Sequence, residues 1–298
     1  MFPSRVRCTS PAVDPDLPFD RRLRRLRRDR AARTSAGADY LHRLAAEELL
    51  ERLDWVKRDF SDALDLGCGD GFLSQQLRER GLKVVSADAG EAFARGAAGV
   101  QCDEDRLPFG DGAFDLVMSV GVLDSVNDLP GALTLIRRIL RPDGLFLAAF
   151  TGAGSLPRLR SAMNAAEDAE GHGSAPRIHP QIDVRAAGDL LTRAGFTLPV
   201  ADTEGIDIRF SSFAGLIRDL RAMGATNILA SRSRRPIGRH GLAAATADFA
   251  RHADTTAKTT EHFEILYLTA WSPSPDQPKP ARRGSATASL ARALKKPG

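Results

Sequence analysis

The sequence lacks any long apolar run. Its best stretch, residues 116–123, is shorter than the ~20 residues needed to cross a bilayer and is interrupted by Ser119 and Gly121. The first residues also lack the apolar core of a secretory signal, and acidic residues interrupt the arginine-rich pattern of a transit peptide. We therefore expect no membrane span and a cytoplasmic location.

Cysteine is scarce as well. Cys8, Cys68 and Cys102 are odd in number and lack metal-ligand spacing. A disulfide framework requires paired cysteines, and a thiolate metal site requires closely spaced ones. The sequence favours a reducing compartment.

Aromatic residues make up only 6% of the chain, and none lies within its most basic segment. Residues 20–33 contain eight arginines against Asp20 and Asp29. Single strands of nucleic acid are bound by basic residues together with aromatic stacking side chains, so nucleic-acid binding is not favoured. An acidic partner is one alternative, but we interpret the segment as a solvated helix face of an arginine-rich protein.

The same segment carries an apolar stripe formed by Phe19, Leu23 and Leu26. Their spacing predicts a helix that packs this stripe onto the rest of the domain. A sharper alternative is that the helix closes over a bound cofactor and that Arg21 or a neighbour binds the cofactor carboxylate.

The chain of 298 residues is long enough for one elaborated α/β domain. Short apolar runs alternate with amphipathic stretches, a pattern typical of helices packed around a parallel sheet. We predict a Rossmann-like, seven-stranded, mostly parallel sheet with helical insertions between its fifth and seventh strands. The predicted strands are 63–66, 83–87, 99–102, 114–120, 145–150, 196–202 and 263–271, and the predicted helices are 72–80, 129–140, 155–168, 212–223 and 242–252.

Two boundaries rest on particular residues. Pro142-Asp143-Gly144 predicts a turn before the fifth strand, and Ser155 predicts the start of a helix with Pro157 in its first turn. The predicted organisation is a disordered N-terminus (1–18), one domain (19–271) and a flexible tail (272–298). Within the domain, we expect an N-terminal helical segment (19–60), a cofactor-binding half (61–151), substrate-side helical insertions (152–262) and a closing strand (263–271).

A glycine-rich segment, Asp65-Leu66-Gly67-Cys68-Gly69-Asp70-Gly71, lies between the first predicted strand and helix. Glycines there let the backbone approach a ligand closely, and the following helix N-terminus adds a positive dipole end. The dinucleotide fingerprint places its third glycine three residues after the second, whereas Gly71 follows Gly69 by two. Asp65 can face the ammonium group of an amino acid and would repel a pyrophosphate. The segment therefore favours S-adenosylmethionine over NAD, with Asp65, Gly67, Cys68, Gly69 and Gly71 as binding residues.

Two further carboxylates follow predicted strands. Asp88 ends the second strand about 20 residues past the glycines, a position from which a carboxylate accepts hydrogen bonds from ribose hydroxyls. Asp103 ends the third strand and could accept a hydrogen bond from an adenine amino group, although Glu104 and Asp105 crowd the same place. The alternative role for each is that of a strand-end turn residue.

Successive motifs resemble those of class I methyltransferases of the ubiquinone/menaquinone and malonyl-carrier-protein type. In chain order they are Asp65–Gly71, Asp88, Asp103 with Leu107-Pro108-Phe109, Phe114–Val117 and Leu140–Gly144. The resemblance implies S-adenosylmethionine as cofactor and methyl transfer to an acceptor, either a small molecule or a protein.

A narrower resemblance covers nearly the whole chain. Phe19-Asp20-Arg21 with the arginine run, residues 126–130, 156–163, 194–196 and 219–227 are similar to the family of the mitochondrial complex I assembly factor 5 and its bacterial relatives. That family implies hydroxylation of an arginine in a respiratory complex I subunit on the same cofactor-binding fold. A non-catalytic assembly chaperone is a third alternative.

One segment departs from these families. After the fourth strand they often have Leu-His-Trp-Val beside the cofactor, whereas this chain has Leu123-Asp124-Ser125-Val126. The aromatic wall is therefore absent, and no role of that histidine transfers to this chain.

The acceptor is expected to lie against the inserted segments, because insertions beyond the carboxyl ends of parallel strands cover the ligand crevice. Candidate polar residues for this wall are Arg160, Arg177, Asp219, Arg221 and Asn227, with surface charges and helix caps as the alternative for each. We cannot assign a catalytic base from the sequence, and methyl transfer does not require one.

A protein-built iron site would need two histidines and a carboxylate. His252-Ala253-Asp254 and His262-Phe263-Glu264 have suitable spacing, but chance matches are expected among six histidines. His172 and His179 are expected to be solvated in a loop. We predict no protein-built metal site.

Overall fold

The structure, a computed structural model, describes residues 17–34, 37–171 and 175–277. Its helices are α1 (Arg21–Ala31), α2 (Tyr40–Asp54), α3 (Phe72–Glu79), α4 (Glu91–Gly96), α5 (Leu129–Ile139), α6 (Pro157–Glu170), α7 (Val184–Arg193), α8 (Phe213–Ala222) and α9 (Arg239–Ala250), with a short 3-10 helix at Leu123–Ser125. Its strands are β1 (Asp62–Leu66), β2 (Lys83–Asp88), β3 (Val100–Gln101), β4 (Phe114–Val120), β5 (Leu140–Thr151), β6 (Thr197–Phe210) and β7 (Thr259–Trp271).

The seven strands form one sheet in the order β3-β2-β1-β4-β5-β7-β6. The first five strands in that order are parallel, and β7 inserts antiparallel between β5 and β6. Every residue of the central strand β4 is buried, as expected for a parallel strand covered on both faces. The predicted fold class is confirmed.

Helices cover the two faces of the sheet because successive strand residues point to opposite sides. On β4, Val117 joins a core with α5 and α7, whereas Leu116 and Met118 join a second core with α2 and α3. A third core joins α6, α8 and α9 to one end of the sheet. This third core holds the inserted helices over the carboxyl ends of the strands.

Helix α6 begins differently from its prediction. Ser155 does not cap it, because the Ser155 hydroxyl exchanges hydrogen bonds with the Glu264 backbone. Instead, the fully buried carboxylate of Glu261 accepts hydrogen bonds from the backbone N–H groups of Arg158 and Leu159 at 3.1 and 2.7 Å. A carboxylate from β7 thus satisfies N–H groups that a helix leaves unpaired at its start.

Three strands also differ from their predicted bounds. The chain already pairs with β4 at Leu140, so the Pro142-Asp143-Gly144 turn becomes an irregularity within β5. Strands β6 and β7 are longer than predicted because they pair with each other along almost their whole length. The residues added to β6 are largely exposed and those added to β7 are polar, so the apolar pattern of the sequence did not predict this extension.

Described residues on both sides of the predicted domain bounds, 19 and 271, contact the domain. Pro18, inside the predicted disordered segment, accepts a backbone hydrogen bond from Ala230. Ser272 is buried, and Gln277 bonds to Thr197 and Asp143, so residues 272–277 contact the domain. Residues 1–16 and 278–298 lie outside the described residues.

The apolar stripe of α1 is only partly buried. Phe19 and Leu23 pack against Ile228 and Leu229, but Leu26 is 54% exposed, contrary to its prediction. Among the described residues, no helix is both long enough and apolar enough to span a membrane.

Candidate functional site

The glycine-rich loop connects β1 to α3 with three left-handed residues. Gly67, Gly69 and Gly71 have φ values of 88°, 52° and 87°. A Cβ on Gly67 would lie 2.5 Å from the Val122 side chain, so a side chain there would be both strained and in collision. The loop therefore has a conformation and a close approach that only glycine permits.

A cavity of about 640 Å³, here called the loop cavity, opens beside this loop. Four of the predicted binding residues line it, namely Asp65, Gly67, Cys68 and Gly69. Gly71 instead precedes α3 as its N-cap, and Asp88 and Asp103 are not among the lining residues.

Asp65 is almost completely buried at the end of β1. Its Oδ2 accepts a hydrogen bond from Ser74 Oγ at 2.6 Å. Burial raises the pKa of Asp65 to about 7, although the Ser74 hydroxyl favours the charged form. Asp65 can therefore change its charge near neutral pH, at the wall of the loop cavity.

The arginine run of α1 contacts the protein through one face. Arg21, Arg24, Arg25 and Arg28, here called the arginine face, follow helical spacing and bind four carboxylates, here called the acidic edge. The pairs are Arg21–Asp105 at 2.5 Å, Arg24–Glu104 at 2.7 Å, Arg25–Asp103 at 2.6 Å and Arg28–Asp88 at 2.5 Å. The prediction of a solvated helix face is therefore wrong for these four residues.

Asp88 is fully engaged within the acidic edge. Arg28 donates from Nε to Oδ1 at 2.6 Å and from Nη2 to Oδ2 at 2.5 Å, and the backbone N–H groups of Gly90 and Gly69 donate to the same two oxygens. Although burial opposes ionisation, the Arg28 charge and these hydrogen bonds lower the pKa of Asp88. Its two oxygens accept four hydrogen bonds, which leaves no room for a ribose while Arg28 stays in place.

The Arg24–Glu104 pair is the most buried pair of the set, with side chains 7% and 1% exposed. Arg24 uses all of its nitrogens, because Nη2 also donates to the Val122 carbonyl and Nε donates to Ser125 Oγ. By contrast, the Arg25 side chain is 44% exposed. The sequence indicated that Asp103, Glu104 and Asp105 crowd one place. In the structure Arg24 binds Glu104, whereas Asp103 binds Arg25 and also lies 3.4 Å from Arg21, the partner of Asp105.

A second space, here called the large cavity, lies under the inserted helices with an empty volume of about 1170 Å³, part of it open to solvent. Arg28, His42, Val120 and Met223 line both cavities, so the two are adjacent. The His42 ring packs directly against Gly121, because a Cβ on Gly121 would lie only 2.3 Å from that ring.

Of the predicted substrate-side residues, Arg177 and Asn227 line the large cavity. Arg177 pairs with Glu167, and Asn227 bonds to the Pro176 carbonyl and the Leu229 N–H. Arg160 and Arg221 are exposed and do not line it, so their prediction is not supported by the geometry. Asp219 instead accepts a hydrogen bond from the Tyr40 hydroxyl.

Two histidines that line the large cavity are half-buried and neutral. Burial lowers the pKa of both His42 and His179 to about 4. His179 accepts a hydrogen bond from the Ile228 N–H and packs edge-on against Phe19, so the prediction that it is solvated is wrong. His172 lies outside the described residues.

The histidine strings considered for iron have other contacts. His262 pairs with Asp207, and Glu264 accepts a hydrogen bond from the Gly154 N–H. Across residues 17–34, 37–171 and 175–277, no group of three histidine, cysteine or acidic side chains is arranged to hold a metal ion.

Comparisons with known proteins agree with this architecture. Residues 64–148 match the family described as "Methyltransferase domain". The chain is 34% identical to "Arginine-hydroxylase NDUFAF5, mitochondrial" of Danio rerio, with 92% of this chain and 88% of that protein covered. It is 35% identical to the malonyl-acyl-carrier-protein O-methyltransferase of Methylovorus sp. (strain MP688), with 82% of this chain and 86% of that protein covered.

A solved structure of a methyltransferase candidate from Bacillus halodurans C-125 is similar to this chain with a TM-score of 0.54 and 15% identity. The match covers 77% of this chain and 99% of that structure, and it supports the fold alone.

The burial of the Arg24–Glu104 pair leads to a stability prediction. Arg24→Ala leaves Glu104 buried and unpaired and should lower the free energy of unfolding by about 3–5 kcal/mol. Arg25→Ala should lower it by about 1 kcal/mol or less, because Arg25 is half exposed and Arg21 remains 3.4 Å from Asp103. Urea unfolding measures both. The double variant Arg24→Met with Glu104→Leu should recover most of the loss, because it removes both charges. Equal losses for the two single variants would contradict the assigned role of burial.

Proposed function

The chain belongs to the class I S-adenosylmethionine-dependent methyltransferase family, and from this membership we propose that it transfers a methyl group from S-adenosylmethionine to an acceptor in the large cavity. The observation that carries the proposal is the contact between the two cavities. The two cavities share four of their lining residues, so a ligand in one cavity would adjoin a ligand in the other.

The loop cavity suits the amino-acid half of the cofactor. Gly67 and Gly69, both left-handed, leave part of its wall without side chains, and a Cβ on Gly69 would meet only the Gly67 carbonyl at 3.9 Å. Asp65 supplies a carboxylate for the ammonium group. We assign this half to Asp65, Gly67, Cys68 and Gly69, with Gly71 beginning the helix whose N-terminus faces the site.

The ribose half requires a movement of α1. We assign the ribose hydroxyls to Asp88, but Arg28 occupies both Asp88 oxygens. Cofactor binding and the Arg28–Asp88 pair therefore exclude each other, and Arg28 must rotate away or α1 must shift. Asp103, which we assign to the adenine, is likewise bound by Arg25.

When bound, the cofactor supplies an electrophilic methyl group, and the protein's tasks are to align the acceptor and to exclude water. The large cavity supports both tasks. Its walls are mainly apolar and include Leu41, Phe150 and Phe263. The wall residue His179 packs edge-on against Phe19. Arg177 and Asn227 are our candidates for polar contacts to the acceptor.

Our proposals for the partner and the compartment rest on one relative and on two cysteines. Similarity to an arginine hydroxylase over most of both chains supports a protein acceptor, with a respiratory complex I subunit as one candidate. Cys68 and Cys102 are free and buried, and burial raises the pKa of each thiol, which is consistent with our proposal of a reducing compartment such as the cytoplasm.

A second candidate function is hydroxylation of an arginine or assistance in complex assembly on the same cofactor-binding fold. The observation that favours it is the 34% identity to the arginine hydroxylase over 92% of this chain. It predicts addition of one oxygen to an arginine of a partner protein instead of a methyl group.

Incubation of the full chain with methyl-labelled S-adenosylmethionine and a cell extract separates the two reactions. We expect label on an acceptor with the wild type. Asp88→Asn should bind S-adenosylhomocysteine about tenfold or more weakly, because it removes charge-assisted hydrogen bonds, and should transfer less label. Asp105→Asn, in another pair of the acidic edge, serves as the matched control and should retain transfer. Intact cofactor binding without label, together with an oxygen mass gain on an arginine, would favour the second candidate.

The raised pKa of Asp65 predicts a pH dependence of cofactor binding. The ammonium group of the cofactor attracts the ionised carboxylate, so affinity for S-adenosylhomocysteine should fall as pH falls through about 7 and Asp65 takes up a proton. Calorimetric titration from about pH 8 to about pH 6 measures this dependence. Asp65→Asn should bind more weakly at pH 8 and lose the dependence, and an unchanged dependence in this variant would contradict the assignment.

A further inference from the structure

Asp124 lies in the large cavity at the segment where the chain departs from its relatives. It occupies the short 3-10 helix after β4, at the position where the resembling families often have the histidine of Leu-His-Trp-Val. Its carboxylate lines the cavity beside Thr151 at the end of β5. The charge of Arg28, which lines both cavities, acts to lower the pKa of Asp124 against the effect of burial, so the two side chains are near each other. Asp124 is not used in the cofactor assignments above.

The other ionisable groups lining the large cavity are already balanced. Arg24, Arg28 and Arg177 pair with Glu104, Asp88 and Glu167. Burial keeps His42 and His179 neutral. Asp124 is therefore the one lining residue, among those that the structure describes, whose charge has no ion-pair partner.

Arg24 is the arginine that could neutralise Asp124, but its donors are committed. Glu104, Ser125 and the Val122 carbonyl accept from all three of its nitrogens. Burial consequently raises the pKa of Asp124 to about 6, although the nearby Arg24 charge and the Thr151 side chain favour ionisation. Asp124 is half-buried and has no ion-pair partner, and a carboxylate in this state is stabilised by a cation that brings its own hydrogen-bond donors.

We propose that Asp124 binds a cationic nitrogen group of the acceptor and so selects basic acceptors over neutral ones of the same shape. The inference rests on the proposed function, because it assumes that the acceptor occupies the large cavity. The apolar walls exclude water around the pair and strengthen it relative to an exposed ion pair. The shared residues Arg28, His42, Val120 and Met223 place the bound nitrogen beside the loop cavity.

Benzylamine and benzyl alcohol are suitable probes, because they have similar shapes and differ in charge. Binding of each to the full chain saturated with S-adenosylhomocysteine is measured by ligand-observed NMR titration. The wild type should bind benzylamine about tenfold or more tightly than benzyl alcohol, and Asp124→Asn should bind both equally. Gln181→Leu, which changes a polar wall residue without changing charge, should keep the preference.

Equal binding of the two probes by the wild type, no binding of benzylamine, or a preference that survives in Asp124→Asn would overturn the proposal. Calorimetry with S-adenosylhomocysteine on both variants keeps the experiment interpretable. Normal affinity in Asp124→Asn shows that the variant is folded and that the cofactor site is intact. A wild type that does not bind S-adenosylhomocysteine would instead contradict the proposed function itself.

Discussion

The pairing of the arginine face with the acidic edge is the interaction on which the arrangement of this site depends. Asp88, Asp103 and Glu104 follow the ends of parallel strands and are at most 3% exposed. Buried carboxylates are strongly unfavourable unless cations and hydrogen-bond donors surround them. Helix α1 supplies one arginine for each member of the edge. Its position is therefore set by electrostatics more than by apolar packing, which explains why Leu26 remains exposed.

This position of α1 shapes both cavities. Arg28 reaches the loop cavity and the large cavity, and it occupies the carboxylate that a ribose would need. Arg24, held by Glu104, borders Asp124 without pairing with it. The same contacts occupy Asp88 and leave Asp124 without an ion-pair partner. In our proposal, cofactor binding and the position of α1 are coupled through Arg28.

The sequence was most informative where local pattern determines structure. The wholly apolar run of β4 and the glycine spacing after β1 predicted buried parallel strands and a ligand-binding loop. The partners of α1 could not be predicted, because each arginine bonds to a carboxylate 60 to 84 residues away. The same holds for Glu261, which caps a helix 102 residues earlier and displaces Ser155 from that role. Asp124 was visible as a departure from the relatives, but only the cavity reveals its missing partner.

The central claim is that the cofactor and Arg28 compete for Asp88. A crystal structure of the full chain with S-adenosylhomocysteine tests it most directly. We expect the ribose hydroxyls within hydrogen-bond distance of the Asp88 carboxylate, the amino-acid ammonium group next to Asp65, and the Arg28 guanidinium displaced from Asp88. A complex in which the Arg28–Asp88 pair is intact, with the nucleoside bound elsewhere, would contradict the claim.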